Sequence, residues 1–171
     1  LPISDLWAVL ERLGRDRWPT LLRADKGYTS EALMRGCEER GLPYLLKLRM
    51  TKKVQEAVVR MAGRAGWVDA GRGWQGIDAT LRLDGWSKAR RVVLLRRPTE
   101  RKPATKGAVD GQLLLSFAVV DMSQGEYEYS ALVTSLEEPI LGLGQLYRDR
   151  ADCENAFDEL KNQWGWGGFT T

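Results

Sequence analysis

Four residues near the end of the chain carry the most chemistry for their spacing. Tyr147, Arg150, Glu154 and Lys161 stand in the pattern Y-x2-R-x3-E-x6-K within Leu141 to Trp164, a stretch whose periodicity predicts one long helix. At about 100° per residue, the last three fall at about −60°, −20° and −40° from Tyr147. All four project within a stripe about 60° wide. A carboxylate beside two cations and a phenol suits a site that holds a metal ion and grips phosphates. Leu146, Cys153, Phe157 and Leu160 form an apolar stripe alongside it, able to dock the helix on a core. The competing reading is plain: Arg150 and Glu154 are an i,i+4 pair, and such pairs are usually solvated salt bridges worth a few tenths of a kcal/mol.

A second carboxylate comes from the first third of the chain. Trp18 to Ala24 is short, apolar and extended in character, and predicts a buried strand ending at Asp25. Gly27 permits a turn. Thr29 or Ser30 then opens a helix with Glu31 in its first turn and Leu33, Met34 and Cys37 on its buried face, and Gly41 closes it. Pro43 to Arg49 predicts the next strand. Residues 20–49 are therefore a β-α-β unit with parallel strands. Asp25 stands at the carboxyl end of the first strand, the edge where open α/β sheets build their sites. The alternative for Asp25 is a turn aspartate bonded to nearby backbone.

Other elements frame these two. Ser4 or Asp5 can cap a helix running to Leu13, and Thr51 to Ala62 predicts another, with Val54, Val58 and Met61 on one face. After Gly63, glycines and tryptophans interleave. Alternating strands are predicted at Ile77 to Leu83, Arg90 to Arg96, Gln112 to Asp121 and Tyr127 to Ser135. This is an antiparallel β region set within an α/β context. Arg96 to Gly111 is the stretch expected to be the most mobile loop, and Glu138-Pro139 opens the long helix.

Composition narrows the chemistry. The 171 residues are 43% apolar and 29% charged, ordinary for a globular protein. No run approaches the ~20 apolar residues of a membrane span, and a reducing cytoplasm is the expected location. There is no histidine, which excludes Ser-His-Asp and Cys-His catalysis within these residues. Cys37 and Cys153 lie far apart and suggest neither a disulfide framework nor a zinc cluster. Carboxylates, lysines and a hard metal ion held by oxygen remain. The net charge of +3 is uneven: Lys88 to Lys106 holds eight Lys or Arg against the single acid Glu100, a possible polyanion contact or simply a solvated basic loop.

Two local patterns carry a family resemblance. Arg23-Ala24-Asp25-Lys26-Gly27-Tyr28 resembles the R-x-D-x-G-[YF] turn, and Tyr147, Arg150, Glu154 and Lys161 match every gap of the Y-R-E-K signature, of bacterial DDE transposases in the fourth insertion-sequence family and its relatives. The order of elements agrees along nearly the whole chain. The resemblance implies an α/β fold with a ribonuclease H-like core and a β-rich antiparallel insertion before the C-terminal catalytic helix. The expected division is 1–62 for part of the core, 63–136 for the insertion, and 137–171 for the helix and tail that complete the core.

The resemblance also implies a mechanism. Asp25 and Glu154 would be catalytic metal ligands. With a third carboxylate they would hold two Mg2+ ions about 3.5–4 Å apart, for which Mn2+ can substitute. Tyr147, Arg150 and Lys161 would contact the DNA backbone. An aromatic among Trp74, Tyr127, Tyr129 and Trp164 could stack an unpaired base. The partners would be double-stranded DNA, as terminal inverted repeats and as target, and a second copy in a homodimer. The family's first catalytic aspartate lies on a strand upstream of the opening helix, and Asp5 reads as a helix cap instead. The expectation is therefore a catalytic fragment, inactive alone. A truncated relic that binds DNA non-specifically around Arg90 to Lys106 is the alternative, and another ribonuclease H-like nuclease such as a resolvase is a more distant one.

Overall fold

The computed structural model of the protein describes residues 3–99 and 127–149. The chain opens with helix α1 (Ile3–Leu13), a single 3-10 turn (Arg15–Arg17), strand β1 (Leu22–Ala24), helix α2 (Glu31–Glu39), strand β2 (Tyr44–Lys47) and helix α3 (Lys52–Ala62). Strands β3 (Val68–Gly71), β4 (Trp74–Leu81), β5 (Arg90–Pro98) and β6 (Tyr127–Thr134) follow. A helix, α4, occupies residues 140–149, where description stops. The expected strand at Gln112 to Asp121, the loop at residues 100–111 and the remainder of the long helix lie outside the described residues.

All six strands form one sheet in the order β1-β2-β6-β5-β4-β3. The β1–β2 pair is parallel, as a β-α-β unit requires, and every other pair is antiparallel. The link between the α/β part and the β-rich part is direct: Leu45, Leu46 and Lys47 of β2 lie opposite Thr134, Val133 and Leu132 of β6.

Alternation along the central strands assigns the two faces. Tyr44, Leu46, Val92, Leu94, Ala131 and Val133 join one core with Leu10 of α1, Leu33, Met34 and Cys37 of α2, and Val54, Ala57 and Val58 of α3. Leu45, Val93, Leu95 and Leu132 point to the other side, where Ile140 and Leu143 of α4 cover them. The described residues thus form three helices, a sheet and one helix, in layers. Burial on both faces explains why β5 is apolar continuously from Val92 to Leu95 rather than in alternation.

Some elements differ from expectation. Ser4 and Asp5 do not cap α1 but lie inside it, where Asp5 in the first turn suits the helix dipole. β1 is shorter than predicted because the chain before it folds back on α1: Trp18 Nε1 donates to the Leu10 carbonyl at 2.8 Å, and the Arg15 guanidinium lies 4.1 Å from the Trp18 ring centre. β5 extends two residues past Arg96, with Pro98 opposite Tyr127 at its end. The Gly/Trp-rich stretch holds a strand that its composition hides. β3 and β4 are joined by a two-residue turn at Arg72 and Gly73, both with positive φ (52° and 77°), the mirror-image turn that suits the twist of a hairpin.

Candidate active-site cleft

Asp25 follows β1 directly, and its position is fixed by backbone bonds around it. The Tyr28 amide donates to the Asp25 carbonyl at 3.0 Å, closing a turn. Thr29, one of two candidates for capping α2, does other work: its hydroxyl donates to the Lys47 carbonyl at 2.7 Å and lies 3.4 Å from that of Asp25. Ser30 is the cap, accepting from the Leu33 amide at 3.2 Å. Arg49 Nε donates to the Lys26 carbonyl at 3.2 Å. The turn carrying Asp25 is thus tied twice to the end of β2. Among the described residues, no hydrogen bond or ion pair engages the Asp25 carboxylate itself.

The opposite wall is α4. The Pro139 carbonyl accepts from the Leu143 amide at 3.0 Å, so the helix starts where Glu138-Pro139 was expected to open it. Three glycines set its distance from the sheet. A Cβ on Gly144 would stand 2.4 Å from the Ala70 carbonyl oxygen, one on Gly76 2.5 Å from Ile140 Cγ2, and one on Gly71 2.5 Å from Arg148 Nη2. The glycine-rich stretch after Gly63 is therefore where the helix and the sheet edge come close. Arg148 reinforces the contact, donating to the Ala70 carbonyl at 2.7 Å. Burial and the neighbouring Arg72 hold its pKa below the usual guanidinium range. Arg23 Nη1 donates to the Leu146 carbonyl and ties β1 directly to α4. That bond gives the arginine of the R-x-D-x-G-[YF] pattern a role: it connects the strand bearing Asp25 to the helix bearing Tyr147.

Between these walls lies a cleft of about 810 Å³. Asp25 and Tyr147, which are 122 positions apart in sequence, both line it. Lys47 stands with its Nζ 6.0 Å from the Tyr147 ring centre. Lys26, Arg49, Arg148, Trp74 and Tyr129 line it as well. Glu128 also faces the cleft, but it is bridged to Arg97 at 2.8 Å. The expected site residues Arg150, Glu154 and Lys161 lie outside the described residues, as does Trp164. Of the candidate stacking aromatics, Trp74 and Tyr129 reach the cleft. Trp74 carries the Arg97 guanidinium 4.8 Å from its ring centre. Tyr127 instead holds Arg96 at 4.8 Å.

The basic run behaves differently from a polyanion surface. Arg90 is buried and bridges Glu31 at 2.6 Å and Glu38 at 2.7 Å, while Lys88 bridges Glu38 at 3.0 Å. Arg91 forms a two-pronged pair with Asp78 (2.7 and 3.0 Å). Arg96 is buried, bonded to Gln75 and the Ala62 carbonyl and packed on Trp67. Arg90 and Arg96 are therefore committed inside the fold, while Lys88 and Arg97 are exposed and paired at the surface; Arg101, Lys102 and Lys106 lie outside the described residues.

Burial alone would raise the Glu38 carboxyl. Hydrogen bonds from Arg90, Lys88 and Tyr44 outweigh it and hold the group down to about 2. Burial pushes the Cys37 thiol up to about 11, as suits a packed thiol rather than a nucleophile.

A divalent metal fits this donor chemistry in part. Asp25 offers a hard oxygen ligand on the wall of the cleft. Among the described residues, no group of three His, Cys, Asp or Glu side chains could complete a site.

Fold and cleft together define an α/β domain whose carboxylate-bearing strand end faces a helix across a cation-lined groove. A family model for the transposase DDE domain matches residues 4–170. The chain belongs to that family, which implies a nucleic-acid-cleaving enzyme of transposition acting on DNA. None of the curated proteins matches it. No helix among the described residues is long and apolar enough to cross a membrane.

Proposed function

We propose that the chain is the catalytic part of a DDE transposase of the Y-R-E-K group, cleaving DNA at insertion-sequence ends and transferring strands to a target. One observation carries this reading: Asp25 and Tyr147, singled out by two separate motifs, line the same cleft. Asp25 and Glu154 are the metal-binding carboxylates; helical spacing puts Glu154 on the Tyr147 face of the helix. Bound Mg2+, or Mn2+ in its place, supplies activation of the attacking oxygen and stabilisation of the leaving oxygen. Tyr147, Arg150 and Lys161 hold the phosphates beside the scissile bond: the arginine by a forked grip, the lysine as a point charge. These contacts position the duplex without reading its sequence. Trp74 and Tyr129 are the aromatics placed to stack a displaced base.

The third carboxylate is proposed to arrive on a strand pairing with the outer edge of β1, which has no partner strand among the described residues. On that reading the core is ribonuclease H-like. Residues 1–62 and 137–171 belong to it, and 63–136 form an insertion whose strands extend its sheet. A homodimer on paired DNA ends, in the bacterial cytoplasm and at the nucleoid, completes the proposal. The relic alternative is weakened by the burial of Arg90 and Arg96 and the pairing of Arg91 with Asp78, which leave less of that strand to hold DNA.

The test uses full-length protein and DNA carrying the element ends. Asp25→Asn and Glu154→Ala are each expected to abolish Mg2+-dependent cleavage while end binding persists. Undiminished cleavage by either would sink the assignment.

A further inference from the structure

A second, smaller cleft of about 310 Å³ shares Leu48 and Arg49 with the first. The two clefts therefore adjoin at Leu48 and Arg49, as a two-part groove with Asp25 in one part and the start of α3 in the other. The cations along it differ from those of β5. Among the described residues, no carboxylate pairs with Lys26, Lys47, Arg49 or Lys52, all of which line the groove. Its acids are spoken for, apart from Asp25: Glu128 is bridged to Arg97, and Asp84 to Lys53.

The fold presents these cations deliberately. Tyr44, Leu46 and Leu48 turn into the α1–α3 core, while Leu45 packs on the α4 side. Alternation therefore brings Lys47 out on the α4 side, beside Tyr147. Arg49 and Lys52 are exposed, and the single bond of Arg49 to the Lys26 carbonyl leaves its guanidinium edge available. α3 has no acid in its first turn, so its amino end adds to the positive field instead of offsetting it. Lys26, Arg49 and Lys52 are exposed and Lys47 is half-buried beside Tyr147, and none is paired with a described carboxylate, which keeps them available to a polyanion.

We propose that Lys47, Arg49 and Lys52 form a rail that holds the phosphate backbone of duplex DNA where it leaves the Asp25 cleft. This rests on the reading of that cleft as a DNA-cleaving site, and it adds a DNA surface at the β2–α3 junction. The rail is sequence-independent, since it touches phosphates alone.

The experiment is binding of a random-sequence duplex by the protein, followed by fluorescence anisotropy across a salt series. The variant combining Lys47→Gln, Arg49→Gln and Lys52→Gln is compared with one combining Arg60→Gln, Arg64→Gln and Lys88→Gln, which removes the same charge from residues that do not line the groove. Each lost phosphate contact reduces the slope of log affinity against log salt by about 0.9. The rail variant is expected to lose about 2.7 in slope and the second variant less than about 0.9. An unchanged slope in the rail variant, an equal loss in the other, or no binding by the wild type would overturn the proposal. Failure of the cleavage assignment reads out separately, as metal-dependent cleavage that survives Asp25→Asn while the rail still sets the salt slope.

Discussion

Arg90 shows how a charge that reads as surface can become structure. Its guanidinium, 2% exposed, spans Glu31 and Glu38 at the two ends of one face of α2. Removing one partner of a buried pair leaves the others charged and desolvated, which typically costs about 3–5 kcal/mol. Arg90→Met is expected to lower stability by about 3 kcal/mol in urea unfolding, discounted for the part-exposure of both acids. The same network sets an acid limit. Glu38 is depressed from 4.5 to about 2, so its contribution is intact above about pH 4.5 and disappears as pH falls toward 2. Melting temperatures recorded from pH 6 to pH 2.5 should fall steeply for the wild type and more shallowly for Glu38→Gln. At this scale the sequence was partly legible. Asp25 and Tyr147 were visible through their patterns. The roles of Arg23, Thr29 and Arg148 were not, because each acts through a carbonyl on a distant element and local spacing carries no trace of that.

Among the elements, α4 depends on small residues at its contact with the sheet. Gly→Ala inside a helix ordinarily stabilises by up to about 1 kcal/mol. At Gly144 the sign should reverse, since the new methyl would collide with the Ala70 carbonyl at 2.4 Å; overpacking of this kind costs about 1–3 kcal/mol. Gly142 is the internal comparison, because its nearest atoms lie at 3.8 Å and 3.9 Å. Chemical denaturation should find Gly142→Ala neutral or stabilising and Gly144→Ala destabilising. The helices α1 to α3 were legible through apolar residues recurring at helical spacing and through Gly14, Gly41 and Gly63 at their ends. β3 was not: its turn is Arg-Gly rather than the familiar Asn-Gly, and the glycines around it serve the approach of α4.

For the whole molecule, the β-rich half and the α/β half share a sheet. The antiparallel character of the later strands was readable from alternation. Their attachment through β2 and β6 was not, since pairing between residues 47 and 132 is a tertiary choice that neither strand encodes alone. This continuity lets α4 pack on β3 to β6 and still face Asp25 beyond β1. The central claim is the proposal that Asp25 and Glu154 hold one metal. Fe2+ placed in the protein with ascorbate and peroxide generates hydroxyl radicals that cut the backbone beside a metal site. Cuts are expected near Asp25 and near Glu154 together, suppressed by excess Mg2+ and lost in Asp25→Asn. Cuts confined to other segments, or a pattern that Asp25→Asn leaves unchanged, would contradict it.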